Sequence, residues 1–534
     1  MSQQADVTIL GGGLAGLTLA IQLRNRFPSL DVRVIERRSH PVPPAAHKVG
    51  ESSVEIGAQY FDTVLGLKEH LLSRQLKKFG FRFFFSEGRE DLDQVTELGA
   101  SRYLATPSYQ LDRGIFENFL GEHARELGVQ FLDGAVVRSF DVGANGAEHT
   151  VRYEIEGAQH EVGSRWLIDA SGRAGLIKRK LGLQQENAHN ANAIWFRVGA
   201  KIDVDDWSSD TSWLQRCEPP YRWLSTNHLC GEGYWAWLIP LSSGSHSVGI
   251  VCDAQLHPLE TMNTFEKALE WFRIHQPRLA KAVEEKQHLL QDFCFLRNFS
   301  YGCKQVFSGD RWALTGEAGV FLDPFYSPGS DFIAIGNTYI TDLIARDLQG
   351  ELINGRSHVY QQLYFSFYES TLSLYTDQYA MFGDPEVMPV KVIWDYTYYW
   401  GVLCQLFFQR RLTDLANIGR LSEQLNHTRV LNQAMQNLMR EWSKLSSRRN
   451  DAVLLDQASL PWFAELNRGL RDELDEEGFR ARIIEYTALL NSLAIEIVER
   501  ACAEHPSLDC AGVRQLLAAG PPPLVESLLF KKAA

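Results

Sequence analysis

A chain of 534 residues is longer than one simple hydrophobic core organises, so two or three domains are expected. It is 45% hydrophobic and 22% charged, an ordinary globular composition. Its formal net charge of −13 argues against nucleic acid and anionic lipid as partners, because both call for clustered Lys and Arg. Small-molecule chemistry is what remains. The eight cysteines are scattered without a C-x-x-C pair, so neither a disulfide framework nor a zinc or other metal site is expected. The apolar run at 7–23 is broken by glycines and follows a start with no basic residue, unlike a signal peptide. No stretch reaches the roughly 20 unbroken apolar residues that cross a bilayer. A cytoplasmic protein without a membrane span, monomeric or homodimeric, is the expectation.

In chain order, a buried-strand run at 7–10 leads directly into Gly11-Gly12-Gly13-Leu14-Ala15-Gly16 and helical spacing over 14–27. A second apolar run at 32–35 ends at Glu36 and Arg37. Strand, glycine turn, helix, strand and acid form a dinucleotide-binding βαβ unit. Gly11 permits the tight turn, Gly13 lets backbone approach a pyrophosphate, and Gly16 permits close helix packing. The helix start at Leu14 and Ala15 offers N–H groups to phosphate, and Glu36 can accept the ribose hydroxyls. Gly50-Glu51-Ser52 then opens a helix, with Ser52 and Glu55 spaced as a capping box. Lys77 and Lys78 precede aromatic-rich sequence ending at Phe84. Neighbours on a strand point to opposite faces, so only one of them can enter a given passage, and a solvated pair is the alternative. Arg113 stands at a helix start, and is either a solvated charge or a phosphate ligand. A strand at 166–169 ends in Asp169-Ala170-Ser171-Gly172. Trp235-Ala236-Trp237-Leu238-Ile239-Pro240 sends both indoles to one face of a strand, a pattern that core packing alone also satisfies. Another strand runs into Gly316-Glu317-Ala318, followed by Asp323-Pro324 and Phe325-Tyr326-Ser327-Pro328-Gly329-Ser330-Asp331. Beyond 345 helical periodicity dominates. The dense aromatics of 360–408 are core, and any excess would line a groove for an aromatic or acyl substrate.

Together these stretches resemble the flavin-dependent halogenases, the tryptophan-halogenase-like superfamily within the FAD-dependent monooxygenase fold. The resemblance rests on the glycine fingerprint, Gly50-Glu51-Ser52, the lysine ahead of aromatic sequence, and a full W-x-W-x-I-P signature at 235–240. It implies an α/β fold, α+β overall. A Rossmann-like FAD-binding domain of the flavin monooxygenase type fills 1–345, with an inserted β-sheet substrate region at about 80–110 and 185–300, and a mainly helical C-terminal domain fills 346–534. It implies FAD, supplied reduced by a separate flavin reductase since no second dinucleotide fingerprint is evident. The implied FAD ligands are Gly11, Gly13, Leu14, Ala15, Gly16, Glu36, Arg37, Ser52, Arg113, Asp169, Gly316, Glu317, Asp323 and Pro324, where Glu317 replaces the family's usual Asp. Chloride or bromide is the implied co-substrate, oxidised with O2 to hypohalous acid. The implied catalytic set is Lys78 (Lys77 being second choice) to polarise or carry the halogen, Trp235 and Trp237 to obstruct direct substrate approach to the flavin, and Glu51 in a loop near it.

Two departures bear on substrate and halide. The glutamate of tryptophan halogenases has no clear counterpart after Pro324, which steers the substrate towards an electron-rich phenol- or pyrrole-like ring, free or tethered to a carrier protein. The halide site is implied at Pro328, Gly329 and Ser330. Where the family has Thr-Gly this chain has Pro328-Gly329, and proline has no N–H, so Gly329 and Ser330 must supply an altered anion nest. One rival is a same-fold monooxygenase or reductase without halide chemistry, which Pro328 fits. The other is a catalytically degenerate flavin-binding pathway protein.

Overall fold

Val7, Ile9, Val32 and Val34 are fully withdrawn from solvent, and they place strands Gln3–Leu10 and Val32–Ile35 side by side in parallel, Val7 opposite Val32. The computed structural model describes residues 3–45, 48–522 and 527–530. A parallel pair needs a crossover, supplied here by helix Leu14–Arg26. The sheet continues in parallel to Gln130–Leu132 on one side and Ala158–Asp169 on the other, and Trp312–Leu314 pairs with the end of the latter. Antiparallel His149–Ile155 and Val136–Asp141 complete it. This sheet belongs to one compact unit made of Met1–Gln75, Leu111–Ala188 and Ser300–Tyr368. It is the Rossmann-like arrangement expected from the glycine fingerprint.

The second unit comprises Leu76–Gln110, His189–Phe299 and Glu369–Ala534. Its sheet runs, edge to edge, Leu290–Leu296, Ala191–Val198, His246–Asp253, Tyr234–Pro240, Thr226–Gly231, Phe81–Phe84, Glu97–Gly99 and Leu454–Asp456. One face carries the core: Phe84, Leu229, Tyr234, Ala236, Leu238, Val248 and Ile250 pack with Trp271 and Phe272. The odd-numbered residues of Tyr234–Pro240, including both signature tryptophans, therefore face the other side.

Among the described residues of the C-terminal part, the regular structure is helical apart from Leu454–Asp456. Its aromatics are largely core: Trp394 and Trp400 are buried, with Tyr396 and Phe463 packed on Trp400. Between helices Met388–Tyr398 and Ser422–Ser443, buried Lys391 donates to Asp395 at 2.7 Å and to Gln436 at 2.6 Å, and Gln436 donates back to Asp395 at 2.7 Å. Such a satisfied polar knot fixes the helix pairing more specifically than apolar contact can.

Two local expectations are corrected. The helix after Ser52 is Glu55–Gln59, with extended Val54 as its N-cap and no side-chain cap, so Ser52 lies too early for a capping box. A distant carboxylate does the capping, as Asp331 accepts the Gly57 N–H at 2.8 Å. The lysine pair stands just before the aromatic strand. Lys77 ends a two-residue strand, Leu76–Lys77, and Gly80 at φ +72° turns the chain into Phe81–Phe84. The cysteines are not all single thiols, since Cys502 and Cys510 are paired in a disulfide across the end of helix Glu476–Glu504. Among the described residues, no helix is long and apolar enough to cross a membrane.

Candidate active site

In the first unit, crowding explains the glycines. Gly11 has φ +111°, and a Cβ there would lie 2.4 Å from the Ala170 oxygen; one at Gly16 would lie 2.0 Å from the Gly11 oxygen. Gly13 is the N-cap of helix Leu14–Arg26, whose first turn holds no acidic residue. The leading N–H groups of a helix have no intrahelical acceptor and sit at the positive end of its dipole. Lys48 stands over this end, its Nζ 2.9 Å from where a Gly13 Cβ would be. It donates to Glu117 at 2.8 Å. Arg113 donates to the same carboxylate at 2.5 Å and to the Val49 carbonyl at 2.8 Å, while its Nε is buried without a partner. Cations gathered at a helix N-terminus suit an anion. The glycine cradle, the cations and the orphaned Nε together fit the pyrophosphate of FAD.

The acidic residues brace this cradle. Glu36 accepts the Gly12 N–H at 2.6 Å and the Arg38 N–H at 2.8 Å, and a carboxylate has capacity left for ribose hydroxyls. Arg37 beside it is exposed. Buried Asp169 accepts from the Ser171 N–H at 3.0 Å, the Ser171 hydroxyl at 2.5 Å and the Ile177 N–H at 2.7 Å, so it holds its own turn; burial still pushes its pKa up against those bonds. Gly316, at φ +59°, packs against the first helix, where a Cβ would lie 3.0 Å from that of Ala15. Glu317 follows it, half-buried. Burial raises its pKa, opposed by Arg173, Arg113, Lys48 and Lys178, which places it in the same cation cluster. Asp323 is buried and accepts the Phe325 N–H at 2.9 Å, turning the chain at Pro324. Glu51 is buried, and its carbonyl accepts the Leu111 N–H at 2.6 Å; Ser52 is buried next to it.

The loop leading into helix Gly329–Leu348 is built differently. Ser327 has φ +52°, Pro328 is the N-cap of helix Gly329–Leu348, and Gly329 is exposed. Ser330 is buried with an Oγ that has no hydrogen-bond partner. Asp331, in the first turn, is 2% exposed and holds Gly57. Deeper in that helix, Asn337 donates to the Ala15 carbonyl, the Thr18 hydroxyl and Tyr60 at 3.0–3.2 Å, and accepts from Thr315 at 2.7 Å.

In the second unit, Lys78 is 3% exposed with its Nζ 3.4 Å from the Phe81 ring centroid, whereas Lys77 is exposed and lies over Tyr103. Phe81 meets His228 edge-on at 5.2 Å; His228 stacks on Phe83 at 4.6 Å and tilts against Trp235 at 5.0 Å. Trp235 meets Trp237 at 5.7 Å. Trp237 donates to Ser247 at 3.1 Å and lies across Gly249, where a Cβ would collide at 2.2 Å. The Lys78 and tryptophan motifs thus form one aromatic wall joined by His228. His228 Nδ1 faces the carbonyl oxygens of Thr226 at 3.1 Å and Arg82 at 3.4 Å, so Nδ1 carries a proton and donates. Beneath, Arg82 from the neighbouring strand and Arg222 from the turn Arg222–Leu224 clamp fully buried Glu97, so that no charge is left unpaired.

Residues 4–274 match the FAD binding domain family. The chain belongs to that family. Its relatives include the flavin-dependent halogenase chlA of Dictyostelium discoideum, 25% identical over 463 residues, covering 79% of this chain and 75% of that one. A second is the 1H-pyrrole-2-carbonyl-[peptidyl-carrier protein] brominase of Pseudoalteromonas luteoviolacea, 26% identical over 357 residues, covering 65% and 78%. Among solved structures, halogenase PltM shares the fold at TM-score 0.64 and 17% identity, covering 96% of this chain and 99% of that one. The chain is thus an FAD-dependent oxidoreductase grouped with the flavin-dependent halogenases, and FAD is its cofactor.

Lys48, His228 and Asn337 lie against candidate site residues, and the sequence did not single them out. Lys48 stands two residues before Gly50-Glu51-Ser52, and its proximity to that motif was the available signal. His228 follows Thr226 and Asn227 in a short mixed strand, and Asn337 lies in a largely apolar helix run, and no local pattern marks either as functional.

Proposed function

We propose that this enzyme halogenates an electron-rich aromatic ring, phenol- or pyrrole-like and free or carrier-tethered, using reduced FAD, O2 and chloride or bromide. Overall, reduced FAD, O2, halide, a proton and the arene yield oxidised FAD, the haloarene and water. Bound FAD supplies the redox chemistry. The observation that carries the reading is the burial of the Lys78 ammonium over Phe81 in the same wall as Trp235. Burying an ammonium is costly, and a ring face offsets part of that cost. A positioned, water-shielded nitrogen can hydrogen-bond hypohalous acid or carry the halogen, which directs an otherwise indiscriminate electrophile. The ring then takes the halogen and releases a proton as hydroxide leaves as water. Trp235 and Trp237 wall off direct approach to the flavin in this reading. Glu51 and Ser52 belong to its loop, and Gly329 and Ser330 supply the halide N–H groups. Reduced FAD comes from a separate reductase. The pyrrole-carrier substrate in the brominase's name supports a tethered ring here too.

A second reading, oxygenation or reduction without halide, is favoured by Pro328 and by the buried Asp331 carboxylate in the first turn of the presumed halide helix. Reduced FAD, O2 and bromide supplied with a reactive phenol separate the two, with mass spectrometry reading a halogen isotope pattern or a hydroxylated product. Lys78→Ala is expected to abolish halogenation while flavin reoxidation continues. Halogenation that survives this change removes Lys78 from the mechanism.

A further inference from the structure

We infer that Tyr379, far in sequence from every family motif, is the positioning residue that sets the Trp235 indole and thereby the coupling of oxygen consumption to product. The inference rests on the halogenase reading for its chemistry but not for its geometry. Trp235 is 2% exposed, and its Nε1 donates to the Tyr379 hydroxyl at 3.0 Å. A buried indole N–H needs such an acceptor. The phenol is itself held. It stacks on Phe382 at 4.4 Å and 25°, and the Tyr379 carbonyl accepts the Gly233 N–H at 3.0 Å from the turn that leads into the tryptophan strand.

The whole segment is seated on that turn. A Cβ at Gly383 would lie 2.6 Å from the Glu232 nitrogen, so glycine is what permits the approach. Arg448 ties the two together, donating to Glu232 at 3.1 Å and to the Ala380 carbonyl at 3.3 Å. Tyr379 thus reaches Trp235 from a segment fixed to the same hairpin by backbone, and the indole's tilt against His228 and Trp237 follows from where the phenol stands. An indole that rotates away opens the wall between Lys78 and Trp237, and an electrophile meant for the substrate escapes.

The test is a double-mutant cycle read as product formed per O2 consumed, a ratio that loss of active protein does not change. Tyr379→Phe is expected to lower it roughly fivefold, equivalent to about 1 kcal/mol. Trp235→Phe should lower it comparably, and the double variant no further. An unchanged ratio in Tyr379→Phe, or two effects that simply multiply, overturns the inference. If Tyr379→Phe fails to fold, Trp235→Phe alone decides, since it removes the same donor; a wild-type ratio there overturns the inference as well. If the wild-type product is hydroxylated and not halogenated, the halogenase reading fails, yet the same ratio still tests the coupling of Tyr379 to Trp235.

Discussion

Two helix N-termini in the first unit invite opposite occupants. At Leu14 the cap is glycine, the first turn carries no acid, and Lys48 and Arg113 meet over one shared carboxylate, Glu117, two cations to one anion, so a further anion is welcome. At Gly329 the cap is proline, the first turn holds buried Asp331, and that carboxylate already serves Gly57 from 274 residues away. The lesson is that a helix start is an anion site only if its first turn brings no anion of its own. One end fits a pyrophosphate. The other can take halide only against a resident charge.

The sharpest way to break this comparison is steric. Gly16→Val would drive a side chain into the Gly11 carbonyl, where even a Cβ lies 2.0 Å away, and overpacking of that kind costs about 1–3 kcal/mol or more. Loss of measurable FAD binding is expected by flavin fluorescence titration. Gly329→Ala, with nothing within 4 Å of the new Cβ, should leave FAD affinity unchanged. If both variants bind FAD alike, the first helix start is not the cofactor's.

A smaller effect tests the cations. Lys48→Met should weaken FAD binding about tenfold, equivalent to about 1.4 kcal/mol, and make it less sensitive to salt. At the other helix, Asp331→Asn should lower the bromide concentration needed for half-maximal halogenation by roughly two- to fivefold, matching the ~0.3–1 kcal/mol of a charge at a helix end. A bromide requirement that does not move would mean that halide binds elsewhere or not at all.

Legibility followed the range of the forces involved. Gly11, Gly13 and Gly16 are readable because turn geometry is local, and the shared face of Trp235 and Trp237 because a strand repeats every second residue. The Rossmann-like sheet and the helical C-terminal part follow from the same short-range patterns. The cap on Glu55–Gln59 was misassigned to Ser52 because its true partner, Asp331, is close only after folding. Lys48 over Gly13, His228 between two motifs, and Tyr379 under Trp235 are likewise tertiary, and nothing local distinguishes them.

The mildest effect on FAD binding concerns pH and again touches only the first helix start. His70 is buried between Phe116 and Phe119, and burial lowers its pKa to about 4. Its Nε2 meets the Gln75 amide nitrogen at 3.1 Å, so the neutral ring accepts there. Gln75 in turn accepts the N–H of Asp112, which caps the helix carrying Arg113. Between the ordinary histidine pKa of about 6.5 and about 4, the unfolded chain binds a proton that the folded chain refuses. The stability due to neutral His70 is therefore complete above that window and lost as pH falls through it, at up to about 1.4 kcal/mol per pH unit. Protonation also turns an acceptor into a donor facing another donor, which loosens Gln75 and, through Asp112, the seat of Arg113. FAD affinity should fall only as pH approaches about 4, where the folded ring takes up its proton. His70→Gln should flatten the dependence of stability on pH by about one proton, measured by denaturant melts from pH 7 to 4. An unchanged slope would show that His70 is not the group that titrates, and would uncouple Arg113 from it.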